Sequence, residues 1–553
     1  MNMFDQKRRT IIMALGSNHN TKANIEKARI LLRDLFPDDL TFSEEMKTEP
    51  VDSDGPHYVN LIAVAQSSLR LPEIRKALSH IERLCGNTAE KRNNGMVEMD
   101  IDILRWGNKR YHLADWERSY IKELLATLEL PKKFLALLLT LVTLTLGAQD
   151  FNAHFTDQTL RLDYIFAGDA DTQAIYLDEM HTSPRWFGKR ARLKEVPVQG
   201  NGQIIVRSHN STDTIYRNSF STLFQEWLSY DEAKSQKRSF QNVFLIPMPR
   251  HAVDITVQLY NNRRETCAEL THTVDPDDIL IRKHPCQAVT PYQTVQQAAD
   301  TSRCIRVAFV AEGYRQDEMQ TFLRDTQDAV EALFSHEPFK RLRSRFNIVA
   351  VKALSEDSGT SIPSQGIWKN TALNSHFDTF YSERYLTTLQ IKQLHDCLTG
   401  IPYEHIIILV NTDNYGGGGI LNSYNLAAAH HPQFKPVVVH EFGHSFAGLA
   451  DEYAYEGEQI PMYPTDVEPW EPNITTNVDF SGKWENLISN GTPLPTPEEA
   501  RYKKAVGLFE GAGYSLKGVF RPMQDCRMKT NSEPEFCTVC QKAIKRLIDF
   551  YTE

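Results

Sequence analysis

The stretch KPVVVHEFGHSFAGLADEY, residues 435–453, decides how the longer part of this chain is read. His440 and His444 are four residues apart, so on a helix they share one face, one turn from each other. Two neutral imidazoles so placed hold one Zn²⁺ at about 2.0–2.1 Å each. Glu441 is next in sequence to the first histidine and reaches water on that metal. The metal lowers the water's pKa toward about 7, and Glu441 takes the proton as general base. The hydroxide attacks a peptide carbonyl, and Glu441 returns the proton to the leaving amine. The motif follows three valines and is expected to open an amphipathic helix, with Val438, Phe442 and Phe446 facing the core.

A catalytic zinc takes a third protein ligand. Asp451 is seven residues past His444, and a continued helix would carry it about 10 Å along the axis at 1.5 Å per residue. The helix must therefore break. Gly448 suits the break, because glycine accepts the left-handed conformation that ends helices. Asp451 can then fold back as the third ligand. Glu452 is the adjacent alternative, and Glu456, Glu458, Glu468 and Glu471 would serve a plan that takes a glutamate from a later helix. The positions where an ordinary metzincin signature carries a glycine and a third histidine hold Ala447 and Ala450.

Around this motif the pattern is α/β. IRVAFVAEGY, RFNIVAVKA and EHIIILVNT read as strands, DEMQTFLRDTQDAVEALFS as a helix, and YGGGGILNSYNLAAA as a glycine-rich turn entering a strand. Upstream, TLRLDYIFAG, QAIYLDEMHT, GQIIVRSH, DTIYRNSF, NVFLIPMP and AVDITVQLYNN are short β-branched and aromatic runs. They are suited to an antiparallel sandwich that packs on the α/β part.

Residues 1–125 read β-α-β-β-α-β, a ferredoxin-like split unit. Its last strand carries MDIDIL. Asp100 and Asp102 are two apart, so both carboxylates point to one face, as a Mg²⁺ carrying a nucleotide phosphate requires.

Between the two parts lies PKKFLALLLTLVTLTLGAQD, residues 131–150. Two lysines, an apolar run from Phe134 to Leu146 and a small-residue end compose a secretory signal peptide. A spanning helix needs roughly 20 apolar residues, so a short membrane anchor is the second reading. The arrangement suggests two neighbouring products joined into one frame, the second with its own leader.

The net charge of −10 argues against nucleic-acid binding as the main role. Of the eight cysteines only Cys85 precedes the apolar run. Cys526, Cys537 and Cys540 lie close together, and disulfides are plausible there in an oxidising compartment. A second metal at the C-x-x-C would need further ligands nearby.

LRLDYIF, GNGQIIVR, VAEGY, YGGGG, HEFGHSFAGLADEY and CRMKTNSEPEFCTVC occur in this order in the chain. With them residues 151–553 resemble the IgA-type zinc metallopeptidases. The resemblance implies a secreted zinc endopeptidase with an N-terminal β-domain, metzincin-like architecture, and Met528 as the methionine of a Met-turn beneath the zinc ligands. ALGSN, YVN and DIDIL make residues 1–125 resemble hydroxymethyldihydropterin pyrophosphokinase. That resemblance implies ATP, Mg²⁺ on Asp100 and Asp102, and Thr48, Tyr58 and Asn60 near the pterin. Val97 stands where that family has an arginine, and HLADWERSYIKELL replaces its His-Pro…Arg…Phe segment. Lys91 and Arg92 are the nearest cations that could substitute.

The expected chain is thus multidomain. It has a ferredoxin-like α+β domain (1–125), an internal signal peptide or membrane segment (131–148), a β-sandwich (150–290) and an α/β zincin catalytic domain (300–553). Three functions compete. A zinc endopeptidase acts on a protein or peptide substrate, secreted or at the cell surface, with transient membrane contact through the signal-like segment. A cytoplasmic-type pterin pyrophosphokinase of folate synthesis is the second. A non-enzymatic glycan- or protein-binding surface protein is the third, and it would keep its ligand after Glu441→Ala and Asp100→Ala.

Overall fold

The computed structural model describes residues 9–37, 40–49, 56–67, 69, 71–88, 91, 96–107, 109–112, 116, 118–126, 151–283, 289–457, 460 and 462–553. The signal-like stretch, Arg92, Glu458 and Cys286 lie outside them. Among the described residues no helix is long and apolar enough to cross a membrane. The chain divides into two compact units, residues 1–147 and 148–553.

In the first unit the strand Arg9–Ser17 pairs antiparallel with Tyr58–Ser67 on one side and Asp100–Trp106 on the other. Alternation sorts the side chains, since successive residues of a strand point to opposite faces. Ile11, Met13, Leu15, Leu61, Ala63 and Ile101 pack with Ile25, Leu32, Ile74 and Leu78 of the helices Thr21–Leu35 and Leu71–Leu84. Ile62, Val64 and Leu104 on the opposite face meet Ile121 and Leu124 of the helix Ser119–Ala126. The second strand expected in the β-α-β-β-α-β order is split into two short ones, Thr41–Phe42 and Met46–Thr48. Ser43 interrupts it, because its hydroxyl oxygen accepts the Ile62 amide at 2.8 Å and takes the place of a backbone partner.

The second unit contains two four-stranded sheets and a mixed six-stranded one. The mixed sheet runs Tyr292–Gln296, Phe346–Val351, Ile305–Glu312, His405–Val410, Tyr424–Ala428, Gly417–Ile420, with antiparallel strands at both edges and parallel pairs between them. Parallel strands covered on both faces read as continuous apolar runs. Ala308, Val310, Ile406 and Ile408 join Leu162, Tyr164, Val206 and Ile255 of the four-stranded sheets in one apolar cluster. Strands of the 150–290 segment thus share a core with the mixed sheet. Val307, Phe309, Ile407 and Leu409 face the other way, onto the helices Met319–Leu333, Phe434–Ala447 and Thr538–Thr552.

The helix Phe434–Ala447 begins before the three valines. The motif therefore closes this helix rather than opening it. Val437, Val438 and Val439 are all buried between sheet and helices, and that packing outweighs the modest helix cost of valine. Pro436 sits in the first turn, where its missing amide costs nothing. The glycine run, expected as a turn, is itself the edge strand Gly417–Ile420.

Candidate metal centre and active site

The helix ends at Gly448, which has φ +60° and ψ 33°. A side chain there would strain the backbone and meet Trp470 at 2.7 Å and Val198 at 2.8 Å. The Gly448 amide donates to His444 O, and the Leu449 amide reaches back to Gly443 O. Three residues later Asp451 returns to the histidine face. Its Oδ1 lies 3.1 Å from His440 Nε2 and 3.4 Å from His444 Nε2, and the two Nε2 atoms are 3.0 Å apart.

The hydrogen bonds around this triangle fix which atoms face inward. His440 Nδ1 donates to Arg527 O at 3.0 Å, and His444 Nδ1 donates to Leu449 O at 2.6 Å. Each neutral imidazole therefore turns an Nε2 lone pair to the centre. Asp451 Oδ1 is buried, and among the described residues it has no hydrogen-bond donor other than these two imidazoles. Three lone-pair atoms at these separations repel one another unless a cation or a proton stands between them. Without a metal the proton resides on an imidazole. Burial pulls His444 down, but the Asp451 carboxylate outweighs it and holds the ring up at about 9. Burial likewise penalises the Asp451 carboxylate, yet the two imidazoles keep it well below its ordinary range. Ligands at about 2.0–2.1 Å from a tetrahedral Zn²⁺ are about 3.3 Å apart, so the observed triangle fits such an ion.

Glu441 is half-buried beside the edge strand. A Cβ added at Gly417 would come 2.7 Å from Glu441 Oε1, and one at Gly419 would come 2.5 Å from the Glu441 carbonyl. Glycine is what lets the strand lie this close to the helix. Burial raises the Glu441 carboxyl above its ordinary value, against the pull of both imidazoles. Met528 is fully buried, and its sulfur would lie 2.7 Å from a Cβ at Gly443, between the two histidines in sequence. His440 and His444 keep 13% and 16% of their side-chain surface exposed, so solvent reaches them.

In the first unit, strand register aligns Asn60, Gly16 and Asp100 across three neighbouring strands, with Ala14 opposite Asp102. Thr48 lies opposite Tyr58. All five expected site residues thus share the face only partly covered by Ser119–Ala126. Asn60 donates to the Thr48 hydroxyl at 2.7 Å. Burial, then the Asp100 carboxylate, raises the Tyr58 phenol. Lys91 is held 2.7 Å from the buried Glu98, whose pKa it lowers to about 2, so it is engaged by that glutamate.

Residues 294–499 and 498–548 match the profile of the family described as IgA Peptidase M64, and residues 150–271 match the Peptidase M64 N-terminus. From residue 150 onward the chain thus resembles the M64 peptidases over most of its length. Residues 12–137 match 7,8-dihydro-6-hydroxymethylpterin-pyrophosphokinase. No curated protein matches the chain.

In the M64 segment the described carboxylates weighed as alternative third ligands are turned elsewhere. Glu452 turns toward Cys540, Glu468 pairs with Lys483 at 2.7 Å, Glu471 accepts from Tyr463 at 3.0 Å, and Glu456 is exposed. Two residues near the centre carried no signal in the sequence. The Tyr514 hydroxyl donates a hydrogen bond to Asp451 Oδ2. Glu226, from the short helix Leu223–Trp227, accepts from Tyr385 at 2.6 Å, and burial raises it to about 7. His444, Asp451 and Glu441 are within electrostatic reach of its carboxyl.

Proposed function

We propose that the M64 segment is a zinc-dependent endopeptidase with a zincin-type catalytic half, in which His440, His444 and Asp451 bind the metal. The observation that carries this reading is the convergence of two imidazole Nε2 atoms and one carboxylate oxygen beside Glu441. Two nitrogens and one oxygen suit zinc, and three protein ligands leave a position open, as in catalytic rather than structural sites. When bound, the ion supplies Lewis acidity that polarises the scissile carbonyl and acidifies water.

The chain's own residues do the rest. Arg527 O and Leu449 O orient the imidazoles, and Tyr514 orients Asp451. Glu441 accepts a proton from the attacking water and delivers it to the departing amine nitrogen. The adjacent edge strand Gly417–Ile420 offers backbone groups along which an extended peptide can lie. The substrate is a protein, met outside the cytoplasm by way of the signal-like segment.

The test is digestion of a reduced, unfolded protein by the full chain. Cleavage stopped by chelation, restored by zinc and absent in Glu441→Ala supports the reading. Cleavage that survives Glu441→Ala overturns it.

A second reading belongs to the first unit alone. We propose that its ferredoxin-like sheet binds Mg²⁺–ATP and a pterin on the face carrying Asp100, Asp102, Asn60, Thr48 and Tyr58. The shared face of these residues favours it. Pyrophosphoryl transfer also needs cations to spread transition-state charge, and with Val97 in the arginine position and Lys91 held by Glu98, we expect binding with slow transfer.

A further inference from the structure

Beside the catalytic centre lies a second set of metal-ligating atoms that the mechanism does not use. Glu452, Cys526, Cys537 and Cys540 are all buried, and one ligand atom from each lies within 4.8 Å of the others. We propose that these four residues form a structural zinc site with three thiolates and one carboxylate oxygen.

The spacings fit a metal and not a disulfide. Cys526 Sγ and Cys540 Sγ are 3.8 Å apart. A disulfide needs about 2.05 Å, whereas two sulfurs at about 2.3 Å from a tetrahedral Zn²⁺ are about 3.8 Å apart. Glu452 Oε1 stands 3.0 Å from Cys540 Sγ and 3.9 Å from Cys537 Sγ. These values bracket the separation of about 3.5 Å expected between an oxygen and a sulfur on one zinc.

The backbone is arranged to receive anionic sulfur. The Met528 and Cys537 amides point to Cys526 Sγ at 3.4 and 3.2 Å, and the Cys540 amide points to Cys537 Sγ at 3.5 Å. Cys537 is the N-cap of the helix Thr538–Thr552, so two of the ligands sit where the helix dipole favours negative charge. C-x-x-C with a third cysteine eleven residues upstream is a zinc-type spacing that lacked only its fourth ligand. The fold supplies that ligand from a turn more than seventy residues away.

Glu452 is the independent observation. It is fully buried, Oε1 receives Asn473 Nδ2 at 2.9 Å, and among the described residues Oε2 has no donor. The nearby Arg521 is engaged by Glu498 and by the carbonyls of Glu510 and Gly511. A carboxylate packed among three cysteines without a cation is costly, and a divalent ion removes that cost. Three thiolates and one carboxylate carry the same charge as an ordinary four-cysteine zinc site.

Such a site would brace the catalytic one. Glu452 follows Asp451 directly, its amide donates to Met528 O at 2.9 Å, and Cys526 is two residues before Met528. One ion would tie together the returning turn, the methionine turn and the last helix.

The experiment is expression of the full chain with cobalt in place of zinc. His440, His444 and Asp451 contain no sulfur, so a near-ultraviolet thiolate-to-cobalt charge-transfer band cannot come from the catalytic centre and reports cysteine ligation. We expect that band in the wild type and in H440A/H444A, and two zinc ions per wild-type chain against one in that variant. A folded cobalt-loaded protein without the band, or a peptide in which Cys526 is disulfide-linked to Cys537 or Cys540, overturns the proposal. Neither readout uses peptidase activity, so it fails or stands apart from the function proposed above.

Discussion

The Tyr514 hydroxyl donates a hydrogen bond to Asp451 Oδ2, which leaves Oδ1 as the carboxylate atom turned toward the two imidazoles. One phenol thus decides which oxygen is presented. Tyr514→Phe should lower metal affinity or activity by about 10–100-fold, the usual effect of removing such an outer hydrogen bond. A competitive chelator titration of the variant measures it, and an unchanged affinity and activity would refute the assignment.

Glu441 is beside the ligand atoms but not among them. Glu441→Gln should therefore keep its metal while kcat falls by about 10²–10⁴-fold, the range of general acid–base catalysis. Metal analysis and single-substrate kinetics on the same preparation separate the two effects. Loss of the metal along with activity would mean that Glu441 acts as a ligand.

Metal uptake should depend on pH in a defined direction. In the metal-free protein Asp451 outweighs burial and holds His444 up at about 9, above the ordinary value of about 6.5. The metal needs the neutral ring, so below pH 9 each binding event must release that proton. Affinity should rise about tenfold per pH unit up to about 9 and then level off. Calorimetry near neutral pH in buffers of different ionisation heat should count about one proton released, and a count of zero contradicts the geometry.

The close approach of strand and helix can be tested at Gly417. A methyl there meets Glu441 Oε1 at 2.7 Å and Val437 Cγ1 at 2.9 Å. Gly417→Ala should displace Glu441 and reduce kcat/KM by on the order of 10²-fold, the cost of a misplacement near 1 Å. Gly448→Ala acts differently. Its left-handed backbone costs about 1–2 kcal/mol with a side chain, so the urea midpoint should fall as well.

For the first unit, Asp100→Ala should abolish Mg²⁺-dependent ATP binding by the full chain while leaving the peptidase reaction unchanged. Equilibrium binding of a fluorescent ATP analogue with and without Mg²⁺ reports the first. Retained Mg²⁺ dependence would place the cation elsewhere.

The order of helices and strands in both units, and the one-face pairing of His440 with His444, follow from local periodicity, because backbone geometry alone places residues four apart on a helix and two apart on a strand. The break at Gly448 is legible for the same reason, since a left-handed φ is a property of one residue. Tertiary structure decided what periodicity cannot reach. It turned Asp451 inward and Glu452 toward the cysteines, although the two are adjacent acids with the same local signal. It made the glycine run a strand, because only glycine lets that edge touch the helix, and it took three valines into the helix because both neighbours bury them. It also brought Tyr514 and Glu226 to the centre from distant segments, through long-range packing that leaves no short-range mark in the order of residues.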